Sequence, residues 1–480
     1  MAGIASGALA NAPAQSLRPV LRPGGGGSGA AAPAAAKAAV PAAEALIRAA
    51  GLGAGQVGFA VADARTGLML EAHDGDLGQP PASVTKTVTA LYALDVLGPG
   101  HRFTTDLIAT GPVAGGVLQG DLVLAGGGDP TLDTDMLADM ARRLKAAGVS
   151  RVSGDFKVWG GALPQLHEID RDQPDHVGYN PAISGIALNF NRVHFEWKRG
   201  ANGWVTAMDA RSDRYRPEVG VAKMQIVNRD LPVYTYQEKN GAEYWTVASK
   251  ALGKGGSRWL PVRQPEIYAG EAFRALAAAQ GIAMGRPQAA RALPAGKALV
   301  RQTSVELREV LRDMLKYSNN LTAEMVGLAA TRARGGNPGS LRASAQTMNG
   351  WAAQALGMRG ARLVDHSGLG EASRLTAADL TQALVRAHTE GTLKPILKKI
   401  DMRHDNGKVN KTHPIQVFAK TGTLNFVSGL AGYIVARDGT EMAFGDLRRR
   451  SEGPRPDQAR RLRAAPGGAR GWNKRAKQLQ

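Results

Sequence analysis

An alternating hairpin signal early in the chain, VGFAVADARTGLMLEA at 57–72, finds its counterpart only near the far end, in LAGYIVARDGTEMAF at 430–444. The first runs from Val57 to Ala62 and from Leu68 to Ala72, turning at ADARTG. The second turns at Arg437-Asp438-Gly439-Thr440, a good hairpin tetrapeptide. A core split into an early and a late piece, with a long insert between, would bring these strands into one sheet.

Around this frame the sequence reads in blocks. AAEALIRAAG is a short helix stopped by Gly51. Pro80 and Pro81 end the extended segment, and a helix from Ser83 carries Val84, Val88 and Leu91 on one stripe as far as Gly98-Pro99-Gly100. Residues 103–295 turn to short strands and glycine turns such as GDLVLAG and KALGKGG, a β-rich insert. Helical patterns return after 296 in TSVELREVLRDMLKYS, NLTAEMVGLAATRARG and SLRASAQTMNGWAAQALG. The main domain is thus expected at 38–102 plus 296–445, with the insert at 103–295.

The ends differ in kind. MAGIASGALANAPAQS resembles the tail of an export signal, with Ala10-Asn11-Ala12 in the form that precedes cleavage but no basic region before it, so the start is expected upstream. Residues 18–41 are Gly/Ala/Pro-rich and read as a flexible linker, which makes 1–37 a leader and linker. After EMAF, the run GDLRRRSEGPRPDQARRLRAAPGG matches no strand pattern. Residues 446–480 hold eleven Lys/Arg against three Asp/Glu, +8 of the chain's net +19, and the stretch from about 445 to 466 reads as a frame disturbance in the gene or a basic tail.

Composition removes several classes of function. No cysteine is present, so disulfides and thiolate chemistry are excluded, and the nine histidines form no close pair to seat a metal. No apolar run is long enough to span a bilayer. The charge of +19 favours anionic surroundings, but aromatic residues are only 5% and no nucleic-acid-binding motif is present.

Three short motifs carry chemistry. Ser83-Val84-Thr85-Lys86 puts a hydroxyl and an amine on one helix face, so that a neutral lysine could take the serine's proton. The plain alternative is a capping serine and a solvated lysine. In KYSNNLTAE, Ser318 and Asn320 offer a hydroxyl and a carboxamide just before a helix, although Ser318 could be a simple turn residue. In VFAKTGTLNF, Lys420-Thr421-Gly422-Thr423 sits on a strand whose glycine permits close approach, or whose lysine is an exposed edge residue. Each motif is weak alone; together, in this order, they are hard to reach by chance. The Gly126-Gly127-Gly128 run lacks the Lys-Ser/Thr of a phosphate loop and reads as a turn, and Asp129 and Asp365 read as loop braces rather than acids.

The set resembles the S-x-x-K, S-x-N and K-T-G boxes of penicillin-binding proteins and serine β-lactamases. More narrowly, it is similar to the D-alanyl-D-alanine carboxypeptidase/endopeptidase family, peptidase family S13, in which a large insert separates the first two boxes. GDLVLAGGGDPTL, NPAISGIALNFN and DHSGLGEASRLTAADL also resemble stretches of that family, over about residues 40–445, and GARGWNKRAKQLQ resembles its closing helix.

The resemblance implies an α/β (α+β) fold of the β-lactamase/transpeptidase kind, an antiparallel sheet flanked by helices. It also implies acyl-enzyme chemistry on peptidoglycan peptides in the periplasm, with no cofactor and no metal and with β-lactams as covalent inhibitors. Ser83 would be the nucleophile and Lys86 its base, with an amine lowered by burial and by a neighbouring cation at Lys420. Ser318 would relay a proton to the leaving amine, and Asn320 would orient Lys86 and the substrate. Lys420, Thr421 and Thr423 would hold the terminal carboxylate, and backbone N–H groups of Ser83 and Thr423 would meet the oxyanion. A carboxylate-rich substrate gives the basic balance a use, and peripheral contact with an anionic wall or membrane fits it too. With S-N-N in place of S-D-N and no evident deacylation base, a β-lactamase is disfavoured. A non-catalytic wall-binding protein on the same scaffold is the other alternative.

Overall fold

The computed structural model describes residues 43–49, 52–53, 55–404, 406–424 and 427–449. The expected export signal, the linker, and the basic segment and closing helix beyond Arg449 lie outside them. The chain divides into a short N-terminal unit, 1–46, of which only the start of the helix Ala43–Ala49 is described, and a large unit, 47–480, that holds all that follows.

The early hairpin forms as strands β1 (Val57–Asp63) and β2 (Met69–His73), and a 3₁₀ turn, Ala82–Val84, leads into helix α1 (Thr85–Leu97). After the insert come α2 (Leu307–Tyr317), α3 (Asn320–Ala333), α4 (Leu341–Trp351) and α5 (Ala377–Glu390). Strands β3 (Lys398–Ile400), β4 (Gln416–Leu424), β5 (Val427–Val435) and β6 (Glu441–Arg449) complete the domain. One antiparallel sheet of order β3-β4-β5-β6-β1-β2 joins the late strands to the early ones.

Two sequence readings need correction here. α1 buries more than that one stripe: Thr85, Lys86, Thr87 and Thr89 are buried along with Val88 and Leu91, because helices and sheet surround it. The chain also does not leave the strand at Phe444. β6 continues through Arg449, pairing Gly445 and Leu447 with Ala60 and Gly58 on one side and with Ala431 and Gly429 on the other. Glycine suits the inward position 445, since a Cβ there would lie a tight 3.0 Å from the Ala377 carbonyl of α5. Asp446 and Arg448, on the opposite face, pair with each other.

The insert has its own core. Its five-stranded sheet runs Pro287–Ala289, Phe156–Trp159, Leu122–Gly126, Thr104–Ala109, Lys297–Thr303, packed with helices Thr134–Ala146 and Pro265–Ala279. Lys297–Thr303 pairs antiparallel with Thr104–Ala109, so the insert's sheet reaches past residue 295. A third, smaller apolar cluster stitches the insert to the main domain: Leu163, Ile183 and Ala187 pack with Leu321, Met325 and Leu328 of α3.

Candidate active site

Ser83 lies in the 3₁₀ turn, not at a cap: the residue before α1 is Val84, and no side chain caps the helix. Ala82, just before it, is held at φ 47°, a left-handed backbone that costs an alanine of order 1 kcal/mol. The turn leaves Ser83 half-buried, while Lys86, one helical step on, is fully buried. A lysine buried without partners would be very costly; this one has three. Its Nζ lies 3.0 Å from Ser83 Oγ, 2.8 Å from Asn320 Oδ1 and 2.8 Å from the Ser367 carbonyl.

These partners sort by valence. The Asn320 and Ser367 oxygens can only accept, so a neutral amine spends its two N–H groups there and turns its lone pair to the Ser83 hydroxyl. Burial pushes the Lys86 amine down to about 8, against the upward pull of the Glu324 and Asp365 carboxylates. Glu324, buried on α3, accepts the His366 and Ser367 N–H groups at 3.0 and 2.8 Å and so aims the Ser367 carbonyl. Asp365 braces the same turn through the N–H groups of Gly368 and Gly370, at 2.6 and 2.7 Å, the loop-bracing part read from the sequence. Burial raises both acids.

Lys420 is also buried, and its amine falls to about 6, through burial first and then the positive charges of Lys86 and Lys398. The expected direction of influence is therefore reversed: burial lowers Lys86, and Lys86 in turn lowers Lys420. Lys420 is no exposed edge residue; its Nζ donates to the Thr421 carbonyl at 2.7 Å. Strand alternation turns Lys420 and Gly422 inward and leaves Thr421 and Thr423 exposed. A Cβ on Gly422 would lie 2.7 Å from the Pro81 carbonyl and 3.1 Å from Val84 N, so glycine alone lets β4 lie flush against the serine turn. β3 pairs only with Val417–Ala419, and among the described residues no strand covers the outer edge of Lys420–Leu424. That edge is open to an extended peptide.

In Ser318-Asn319-Asn320 the middle residue caps α3, its Oδ1 accepting from Thr322 N at 3.0 Å. This leaves Asn320 free to face Lys86. Ser318, at the end of α2, has φ 60° and is half-buried; among the described residues its hydroxyl makes no hydrogen bond. Sequence reasoning missed Glu324, the Ser367 carbonyl and Tyr179, an insert residue whose carbonyl accepts from Asn320 Nδ2 at 3.0 Å. The quoted stretch DHSGLG held the only signal for Ser367.

Comparison with known proteins places the chain in a family. The profile of the D-Ala-D-Ala carboxypeptidase 3 (S13) family matches residues 41–462. A D-alanyl-D-alanine carboxypeptidase of an Actinomadura strain is 28% identical over 83% of this chain and 78% of its own length. The carboxypeptidase DacB of Mycolicibacterium smegmatis is 26% identical over 80% and 74%. The crystal structure of penicillin binding protein 4 from Haemophilus influenzae superposes with a TM-score of 0.70, at 20% identity, over 88% of this chain and 97% of that one. The same protein complexed with a β-lactam gives 0.66, at 18% identity, over 85% and 94%. With the match spanning nearly all of the chain, insert included, the protein belongs to the D-Ala-D-Ala carboxypeptidase 3 (S13) family.

Proposed function

We propose that the protein is a serine-type D-Ala-D-Ala carboxypeptidase/endopeptidase that works outside the cytoplasm, on peptidoglycan peptides, and is acylated by β-lactams. The observation that carries this reading is the contact of the half-exposed Ser83 hydroxyl with a buried amine whose other two partners can only accept. Neutral Lys86 takes the hydroxyl proton as Ser83 Oγ bonds to the carbonyl carbon of the penultimate D-alanine. The oxyanion is met by the N–H groups of Ser83 and Thr423. The proton passes through Ser318 to the leaving nitrogen, the C–N bond breaks, D-alanine departs, and water later cleaves the ester. Lys420, with Thr421 and Thr423, takes the terminal carboxylate, while the peptide lies along the uncovered edge of β4.

A fluorescent penicillin tests this directly. Stable labelling of the wild-type protein that Ser83→Ala abolishes, with release of D-alanine from a pentapeptide, is the expected result. Rapid loss of label with drug hydrolysis points to a β-lactamase, and folded wild-type protein that never labels points to a wall-binding protein without catalysis. Either outcome rejects the proposal.

A further inference from the structure

Arg263 is buried in the insert, just beyond the strand Gly255–Pro261, and no step of the reaction uses it. Its Nη1 donates to the carbonyls of His167 at 3.0 Å and Asn180 at 2.7 Å, and its Nη2 to that of Asp175 at 3.2 Å. The Glu168 carboxylate stands 3.8 Å away. One planar fork thus gathers three carbonyls from a single loop, which the point charge of a lysine cannot do. The fork's own base is fixed, because the N–H groups of Arg263 and Gln264 donate to the buried Glu243 carboxylate at 2.7 and 3.0 Å.

The loop is closed from within as well. Asn180 Oδ1 accepts from the N–H groups of Ile169 and Asp170 at 3.0 and 2.9 Å, and its Nδ2 donates to the Asp170 carbonyl at 2.9 Å. Ile183, just beyond, packs on α3. What this loop presents to the site is the Tyr179 carbonyl, on Asn320 Nδ2. An amide held at its nitrogen keeps its oxygen on Lys86. Released, it can rotate and set N–H against N–H.

We infer that Arg263 is a positioning residue for acylation: by fixing the Tyr179 carbonyl it holds the Asn320 carboxamide with its oxygen toward Lys86. This rests on the reading of Ser83 and Lys86 given above. The titratable groups facing Lys86 are Glu324 from α3, Asp365 from the loop before α5 and Lys420 from β4, the last neutral above about 6. Arg263→Lys leaves all three in place. A weakened Asn320 contact withdraws an acceptor from the ammonium, so the pH at which the amine becomes neutral moves down.

The test measures acylation of the full chain by fluorescent penicillin against pH. Arg263→Lys is expected to slow acylation about tenfold or more and to move the rising limb to lower pH, with no further loss in an Asn320→Ala background. Partial unfolding would cut the amplitude without moving the limb. Should Arg263→Lys fail to fold, Asn180→Ala carries the same expectations. Wild-type rates in the variant that folds, or an equal loss with and without Asn320, overturn the inference while leaving the proposed function standing. A wild-type protein that does not label removes both.

Discussion

Below about pH 8 the Lys86 nitrogen carries three protons and donates to Ser83, Asn320 and Ser367; above it, the bond to Ser83 reverses and the serine becomes the donor. Acylation of the free protein should therefore rise with pH through a limb centred near 8, followed by the rate of penicillin labelling. Glu324 props that value up, so Glu324→Gln should move the limb to lower pH, at some loss of rate as one backbone N–H meets an amide nitrogen. An unmoved limb would show that Glu324 does not face Lys86 as a charge. The same lysine leaves a mark on stability. Its unfolded value is 10.5, so between about 8 and 10.5 the unfolded chain binds the extra proton and stability rises with pH. Lys86→Met should lose acylation altogether, keep its melting temperature at pH 7 within a few degrees, and lack that part of the alkaline rise seen by calorimetry.

Elements were legible in the sequence where one period ruled them. Both hairpins, the helix start at the S-x-x-K box and the helix after S-N-N lie where alternation, prolines and glycines put them. α1 showed only its apolar stripe, because a helix packed on several sides also buries threonines and a lysine, which no period singles out. β6 misled because its inward residue beside α5 is a glycine, which leaves Leu447 as the one large apolar residue after Phe444, among charges. The link from Tyr179 to Asn320 crosses 141 positions and uses a backbone carbonyl, which no side-chain motif records. Gly422 is the sharpest test at this scale. Gly422→Ala should push β4 off the Ser83 turn, slow labelling by about a hundredfold and cost about 1–3 kcal/mol of stability in denaturant titration. A variant that labels normally would mean the strand and turn are not locked together.

For the whole molecule, the net charge of +19 bears on the proposed action at a carboxylate-rich wall. Retention on isolated sacculi should fall steeply as salt shortens the reach of charge from about 10 Å at 0.1 M to about 3 Å at 1 M, and salt-independent retention in a pelleting assay would rule this out. The sheet order carries a further consequence. β6 is the seam between the early hairpin and the rest of the sheet, and among the described residues it is the last strand in chain order. The inserted sheet closes with Thr303, long before. The insert can thus complete its own sheet while the two halves of the main sheet are still apart, and the serine turn is fully backed only once Glu441–Arg449 has joined Val57–Asp63.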